Sequence, residues 1–382
     1  MNAQSGTRLA LPGKGALESA TLGFLAECGL KVNRSNPRQY LARINGLPDL
    51  EVVFQRAADI PSLVQDGDAA LGITGFDILA EHRGHGNEEG DEDHYDDDLI
   101  VLERDLGYGN CQLVVAVPET WIDVSTCADL WHLAGYYSTH KRRALRIATK
   151  YPTLTGQFLR RQGITLCKII SPHGALEAAP LTDTADLIVD LTETGTTLRE
   201  NHLKLLQDGV VLRSQACLIA NTRPLRQHDQ ALRLTSMMLE LIEAHVQARN
   251  RSLLTAHLQV ESTEEMQRIY LGCQQRLQSL VSGLEFQVSS SNERERMGGS
   301  IATTASGQAD VGTRYAASSH SPYRYSISGV VNAKGPASEL LEVVAVLRSV
   351  GATSINITPL TYRFAEESVS VRALHERLKR TS

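Results

Sequence analysis

Nowhere in this sequence do about 18 apolar residues run together, which excludes an ordinary membrane-spanning helix. Residues 1–15 lack the basic segment, apolar stretch and cleavage site of a secretory signal. Positive charge is not in excess: the net charge is −6 and the sequence pI about 6.1, so no global field draws nucleic acid or an anionic membrane to the surface. An anionic ligand would have to be held locally, by backbone amides, a few Lys or Arg and a divalent cation. The six cysteines (Cys28, Cys111, Cys127, Cys167, Cys217 and Cys273) are scattered without a C-x-x-C pair, which suggests neither a zinc site nor a disulfide framework. Most stand beside apolar residues and read as buried, reduced thiols of a cytoplasmic or similar compartment. The histidines, His140 and His173 among them, lack metal-ligand spacing and read as structural or exposed.

What is present is an ordinary globular composition, 42% hydrophobic and 21% charged over 382 residues, which allows two or three cores. Residues 8–11 read as a short buried strand. A turn at Pro12–Gly15 and a helix follow, with Leu17, Ala20, Phe24 and Cys28 at helical spacing. Further strands are expected at 50–55 and 70–74, with Asp59 as a helix N-cap and Pro61 in that helix's first turn. Strands at 111–117, 145–149, 166–170, 186–191, 210–212 and 217–220 alternate with helices, which implies a parallel or mixed sheet covered on its faces. Residues 228–250 form a long helical stretch whose broad buried face comprises Leu232, Leu234, Met237, Met238, Leu241, Ile242 and Val246. The last third is patterned differently, with strand 253–260, helix 262–273, strands 284–290 and 323–331, helix 336–349 and strand 354–360. That β-α-β-β-α-β succession is the ferredoxin-like pattern. Residues 84–98 are acid-rich without EF-hand spacing and read as a solvated loop. The 291–321 segment reads as an insertion between two strands.

One segment carries the ingredients of chemistry. An apolar strand ends in Asp190-Leu191-Thr192-Glu193-Thr194-Gly195-Thr196-Thr197-Leu198 and a helix follows. Gly195 would let the backbone approach a phosphate, while amides at the helix start and threonine hydroxyls donate to it. Asp190 and Glu193 would repel phosphate, so their partners are ribose hydroxyls or a ligand-bound metal. The segment has neither a G-x-x-x-x-G-K-[ST] nor a G-x-G-x-x-G fingerprint. On local composition it fits an anion cradle and a Thr-rich helix cap equally well.

The same segment resembles the phosphoribosyl-pyrophosphate loop of the ATP phosphoribosyltransferase family, D-L-x-x-T-G-x-T-L. Other stretches match that family in order: Arg8–Pro12 with Lys14 and Gly15; Arg56 with Asp59, Ile60 and Pro61; and Leu71–Gly75 with Asp77. After these come Cys111–Ala116, Arg146–Thr149 with Tyr151 and Pro152, Gly174–Glu177 with Ala179 and Pro180, and Arg213–Ser214 with Ala216–Ile219. The resemblance covers about residues 7–290 and 323–362.

It implies an α/β, two-lobed, periplasmic-binding-protein-like catalytic core plus a C-terminal ferredoxin-like (ACT-like) α+β domain that senses histidine. Expected boundaries are 1–105 and 206–250 for lobe I, 106–205 for lobe II and 251–382 for the regulatory domain. The implied reaction joins ATP, through N1 of adenine, to phosphoribosyl pyrophosphate (PRPP), with Mg²⁺ and without a covalent nucleophile. By position, Asp190, Glu193, Thr194, Gly195, Thr196, Thr197, Gly174 and Glu177 are expected on the PRPP side. Lys14, Gly15, Arg56, Gly75, Asp77 and Tyr151 are expected on the ATP side, with Lys14 and Arg56 as electrostatic catalysts and Asp190 as a candidate metal contact. For Lys14 the alternative is a solvated turn lysine, for Arg56 a surface ion pair, for Asp77 a helix cap and for Tyr151 a core filler. A homo-oligomer, dimer to hexamer, is implied, with histidine as inhibitor. The chain departs from the family at Ala16, where an arginine is usual, at Asn110 and Gln112, and in the third domain. A non-catalytic regulatory paralogue, or a two-lobed small-molecule binder, is the alternative reading.

Overall fold

The computed structural model describes residues 6–36, 38–84, 98–171, 175–288, 323–332 and 335–380. The chain begins with β1 (Thr7–Pro12), α1 (Ala16–Glu27), β2 (Val32–Asn33), β3 (Leu41–Ile44), β4 (Leu47–Gln55), α2 (Ile60–Gln65), β5 (Leu71–Gly75), α3 (Phe76–Arg83) and β6 (Leu99–Glu103). Strands β4, β1 and β5 run parallel, with Leu9 opposite Val52 on one side and Leu71 on the other. Leu9, Val52 and Leu71 are fully buried, as expected of parallel strands covered on both faces. Asp59 stands at the N-cap position of α2 with Pro61 in the first turn, but its carboxylate makes no cap hydrogen bond. It closes a preceding 3-10 turn instead.

A second sheet is built from β7 (Cys111–Pro118), α4 (Cys127–His140), β8 (Leu145–Thr149), α5 (Pro152–Arg161), β9 (Cys167–Ile170), β10 (Leu187–Thr192), α6 (Thr196–Glu200) and β11 (Leu203–Ser214). Its order is β11-β7-β10-β8-β9, with β10, β8 and β9 parallel. A capping box starts α4: Thr126 Oγ1 accepts the Asp129 amide at 3.2 Å, and Asp129 Oδ2 accepts the Thr126 amide at 2.9 Å. The chain then returns through β12 (Ala216–Asn221), α7 (Thr222–Gln227) and α8 (Asp229–Ala248). Strand β12 inserts antiparallel between β5 and β6, completing the order β2-β3-β4-β1-β5-β12-β6. Two α/β lobes joined by two crossings result, the plan expected of a periplasmic-binding-protein-like core.

Two expected boundaries move. Strand β11 stays paired with β7 as far as Ser214, opposite Cys111, so the return crossing lies at Gln215 rather than at 206. The second compact unit spans residues 244–365, not 251–382. The reason is α11 (Val369–Arg380): its first amides, on Val369 and Ser370, are accepted by the Glu243 carboxylate at 3.1 and 3.0 Å, which ties that helix to the first unit. Met237, expected on the buried face of α8, is 40% exposed, while Leu234, Met238 and Ile242 are buried.

The second unit contains β13 (Arg251–Val260), α9 (Thr263–Leu277), β14 (Val281–Val288), β15 (Tyr323–Asn332), α10 (Ala337–Ser349) and β16 (Ser354–Pro359). Its sheet order, β14-β15-β13-β16 with every neighbour antiparallel, is the ferredoxin-like arrangement read from the sequence. One face packs Leu254, Ala256 and Leu258 against Cys273, Leu277, Val343 and Leu347 of the two helices. The 291–321 insertion, and the acid-rich segment apart from Gly84 and Asp98, lie outside the described residues.

Candidate functional site

In open α/β sheets, ligands bind beyond the carboxyl ends of the parallel strands. In the first lobe β4 and β1 end side by side, and the Gly13 amide donates to the Gln55 carbonyl at 2.7 Å. The next residues on these two strands are Arg56 and the Lys14-Gly15 turn, and β5 alongside leads into Asp77. Lys14 and Arg56 are both exposed, and neither forms an ion pair among the described residues. In the second lobe, β8 leads into Lys150 and Tyr151, β10 into the Glu193–Thr197 loop, and β9 into a 3-10 turn, Leu176–Ala178, that carries Glu177. Gly174 lies outside the described residues.

The loop after β10 is shaped by its own hydroxyls. The Gly195 amide donates to Thr192 Oγ1 at 2.8 Å, and Thr194 Oγ1 lies 2.9 Å from Thr196 Oγ1. Gly195 has φ 74°, left-handed backbone that glycine adopts without steric cost. It is also the N-cap of α6 and has no side chain to cap that helix, whose first amide, on Thr196, donates to Thr194 Oγ1 at 3.4 Å. Thr194, Thr196, Thr197 and Glu193 are exposed. Helix α6 has only five residues, so amides and hydroxyls rather than a macrodipole are what this turn can offer an anion.

Between the lobes, Asp77 is 4% exposed and both carboxylate oxygens are engaged. Oδ1 accepts the Ser214 hydroxyl at 2.6 Å, and Oδ2 accepts the Tyr151 hydroxyl at 2.6 Å. The Asp77 amide donates in turn to Ser214 Oγ at 2.8 Å. Asp77 does not cap α3, whose N-cap is Gly75. A Cβ on Gly75 would lie 2.5 Å from Asp77 Oδ1, so glycine there leaves room for this carboxylate. Burial, with the Asp77 charge and hydrogen bond added, pushes the Tyr151 phenol far above its ordinary value, so it remains a donor. Tyr151 also packs on the second lobe's core, and its hydroxyl is already committed to Asp77.

Burial raises the Asp190 carboxyl, with Glu177 adding to the rise, while the Leu191 amide and Lys150 act against it. Burial likewise pushes the Cys111 thiol up to about 11, helped by Asp77 and Glu193, which leaves it inert as a nucleophile. Asp77, Tyr151, Asp190, Glu193 and Glu177 are thus linked by contact or by mutual electrostatics. Lys14 and Arg56 share the edge of the other lobe without a hydrogen bond to that group. Sequence reasoning missed Ser214, Thr192 and Lys150 as site neighbours. Ser214 and Thr192 lay inside matched segments, and Lys150 directly follows a strand end, which was the available signal.

A family profile described as ATP phosphoribosyltransferase matches residues 56–243. ATP phosphoribosyltransferase 2, chloroplastic, of Arabidopsis thaliana is 36% identical over 94% of this chain and 78% of its own length. The chain belongs to the ATP phosphoribosyltransferase family. Another relative, ATP phosphoribosyltransferase of Brucella melitensis, is 42% identical over 63% of this chain and 96% of its own. Among solved structures, the ATP phosphoribosyl transferase (HisG:HisZ) complex from Thermotoga maritima is similar, with 26% identity and a TM-score of 0.45. That likeness covers 62% of this chain and 98% of the other. The Arabidopsis match extends past the two lobes into the ferredoxin-like domain, whereas the shorter Brucella relative is covered almost whole by fewer residues of this chain.

Proposed function

We propose that this protein transfers the phosphoribosyl group of PRPP to N1 of the adenine of ATP, releasing pyrophosphate and opening histidine biosynthesis. The observation that carries the reading is the common placement of its candidate residues. Lys14 and Arg56 in one lobe, and the Glu193–Thr197 turn in the other, follow the carboxyl ends of parallel strands, and Asp190 stands in the last half of the strand that leads into that turn. The Tyr151–Asp77 hydrogen bond joins the two lobes beside them.

The carbon–nitrogen bond forms at C1 of the ribose as its bond to pyrophosphate breaks. Adenine N1 carries no proton, so bond formation requires no base, and no covalent nucleophile has to be assigned. The protein's contribution is orientation and complementary charge. The loop around Gly195 binds the 5-phosphate through amides and threonine hydroxyls. Asp190, Glu193 and Glu177 hold ribose hydroxyls and complement positive charge developing on the ring. Lys14 and Arg56 draw the polyphosphates to the facing edge, with Gly15 leaving the backbone open beside them. Asp77 and Tyr151 set the distance between the edges.

Mg²⁺ fits this site as a metal that arrives on phosphates. Such ions are held by one or two carboxylates plus substrate oxygens. Among the described residues no group of three or more His, Cys, Asp or Glu side chains could form a dedicated cage. Asp190 would hold it, with Glu177 nearby, and when bound it neutralises the leaving pyrophosphate.

The ferredoxin-like domain is the candidate histidine sensor, and an assembly from dimer to hexamer goes with it. A reducing, cytoplasmic setting agrees with the six free cysteines. No described helix is long and apolar enough to cross a membrane. The test is to incubate the full chain with ATP, PRPP and Mg²⁺ and follow phosphoribosyl-ATP by its ultraviolet absorbance, with and without histidine. Product formation that histidine suppresses is expected. Binding of both substrates without product would overturn the catalytic reading in favour of a regulatory paralogue.

A further inference from the structure

The first amides of helix α5 are met from across the lobe boundary. Its N-cap is Tyr151, whose side chain makes no cap hydrogen bond. The acceptor for the helix's first amides comes from the other lobe: Glu81 Oε1 takes the Thr153 amide at 2.8 Å, and Oε2 takes the Leu154 amide at 2.9 Å. Glu81 lies one turn after Asp77 on α3, so the two acids occupy one stripe of that helix. Both carboxylates reach across to the second lobe, one to the Tyr151 hydroxyl and one to the amides that directly follow Tyr151-Pro152. The stripe ends at Gly84, whose carbonyl accepts Gln157 Nε2 at 3.4 Å. A Cβ on Gly84 would stand 2.7 Å from Thr153 Cγ2, so the two helices meet too closely there for a side chain.

We propose that Glu81 is a positioning residue for the transfer reaction: a helix cap supplied across the lobe boundary, which fixes the lobes together and holds the Lys150-Tyr151 segment at the site. The proposal rests on the reading that the substrates bind at the carboxyl edges of both lobes. A carboxylate accepting two helix-start amides is a charge-assisted bond. When the lobes part, water replaces it on both sides, so the net bias is of the size of one helix cap. That is enough to favour the closed arrangement and small enough to permit opening for substrate entry and product release.

The test compares full-length Glu81→Ala and the isosteric Glu81→Gln with the parent. Amide exchange followed by mass spectrometry should show the first turn of α5 exchanging on the order of ten-fold faster in Glu81→Ala, the size expected for a lost cap. The kcat/KM for ATP and for PRPP should fall by a similar factor. Glu81→Gln, which keeps one acceptor oxygen, should recover part of both effects while melting like the parent. Unchanged exchange at α5 in both variants overturns the cap, and faster exchange with unchanged kcat/KM overturns its role in positioning. Exchange is read on the free protein, so an inactive parent would count against the transferase reading while the cap stands or falls on exchange alone.

Discussion

Gly195 separates two reasons for a glycine in an anion loop. Its φ of 74° demands left-handed backbone, and a Cβ built there would find its nearest neighbour, Leu205 Cδ1, at 4.0 Å. The free protein therefore has room for a side chain, and the obstacle is conformational. Placing a β-carbon in left-handed backbone costs roughly 1–2 kcal/mol, with asparagine a partial exception because it visits this region readily. Gly195→Ala should therefore lose about 1–2 kcal/mol in urea denaturation, and Gly195→Asn clearly less despite its larger side chain. PRPP binding, read by calorimetry, should follow a different order. If the phosphate approaches the bare Cα, both variants lose affinity, asparagine at least as much as alanine. An alanine variant as stable as the parent would refute the conformational argument, and an asparagine variant with parental PRPP affinity would refute the cradle.

Two further outcomes follow from buried groups elsewhere. Burial raises the Asp186 carboxyl, but hydrogen bonds from Arg143 and Arg146 outweigh it and bring it from 3.8 down to about 2. A depressed carboxylate contributes stability that is complete above pH about 4 and lost as pH falls towards 2, here about 2 kcal/mol. Asp186→Asn should remove that acid dependence, and an unchanged stability slope between those pH values would contradict it. The Cys127 and Cys217 thiols are each pushed up to about 12, burial being the main cause. Both should resist iodoacetamide at pH 8 in the native protein and react on unfolding; early alkylation of Cys217, detected by mass spectrometry, would show that its pocket opens.

The strands with continuous apolar runs were legible from sequence because interior strands covered on both faces, parallel or antiparallel, carry no polar alternation to confuse them; β1, β5, β7, β10 and β12 are of this kind. The short hairpin partners β2 and β3 are not, since two and four residues hold too little pattern. Strand β11 read only at its end, because shifts in its pairing between Leu205 and Leu212 break the alternation. At the site, Asp190 and Gly195 could be picked out from residue type and order. The partnership of Asp77 with Tyr151 and Ser214 could not, because it joins residues 74 and 137 positions apart across two lobes. Glu81 was silent for the same reason: a cap is ordinarily sought just before its helix, and this one comes from 72 residues upstream.

Because β12 arrives late in the chain, the two sheets close at different times during synthesis. The whole second sheet is contiguous in sequence, from Cys111 to Ser214, and can close as soon as it has been made. The first sheet cannot: β5 and β6 share no pairing until residues 216–221 insert between them. Until then β5, with Leu71 and Ile73, is an unpaired apolar edge waiting through more than a hundred residues of chain. The second lobe should therefore be the first to become protease-resistant on the ribosome, and chains stalled before β12 should be the aggregation-prone species.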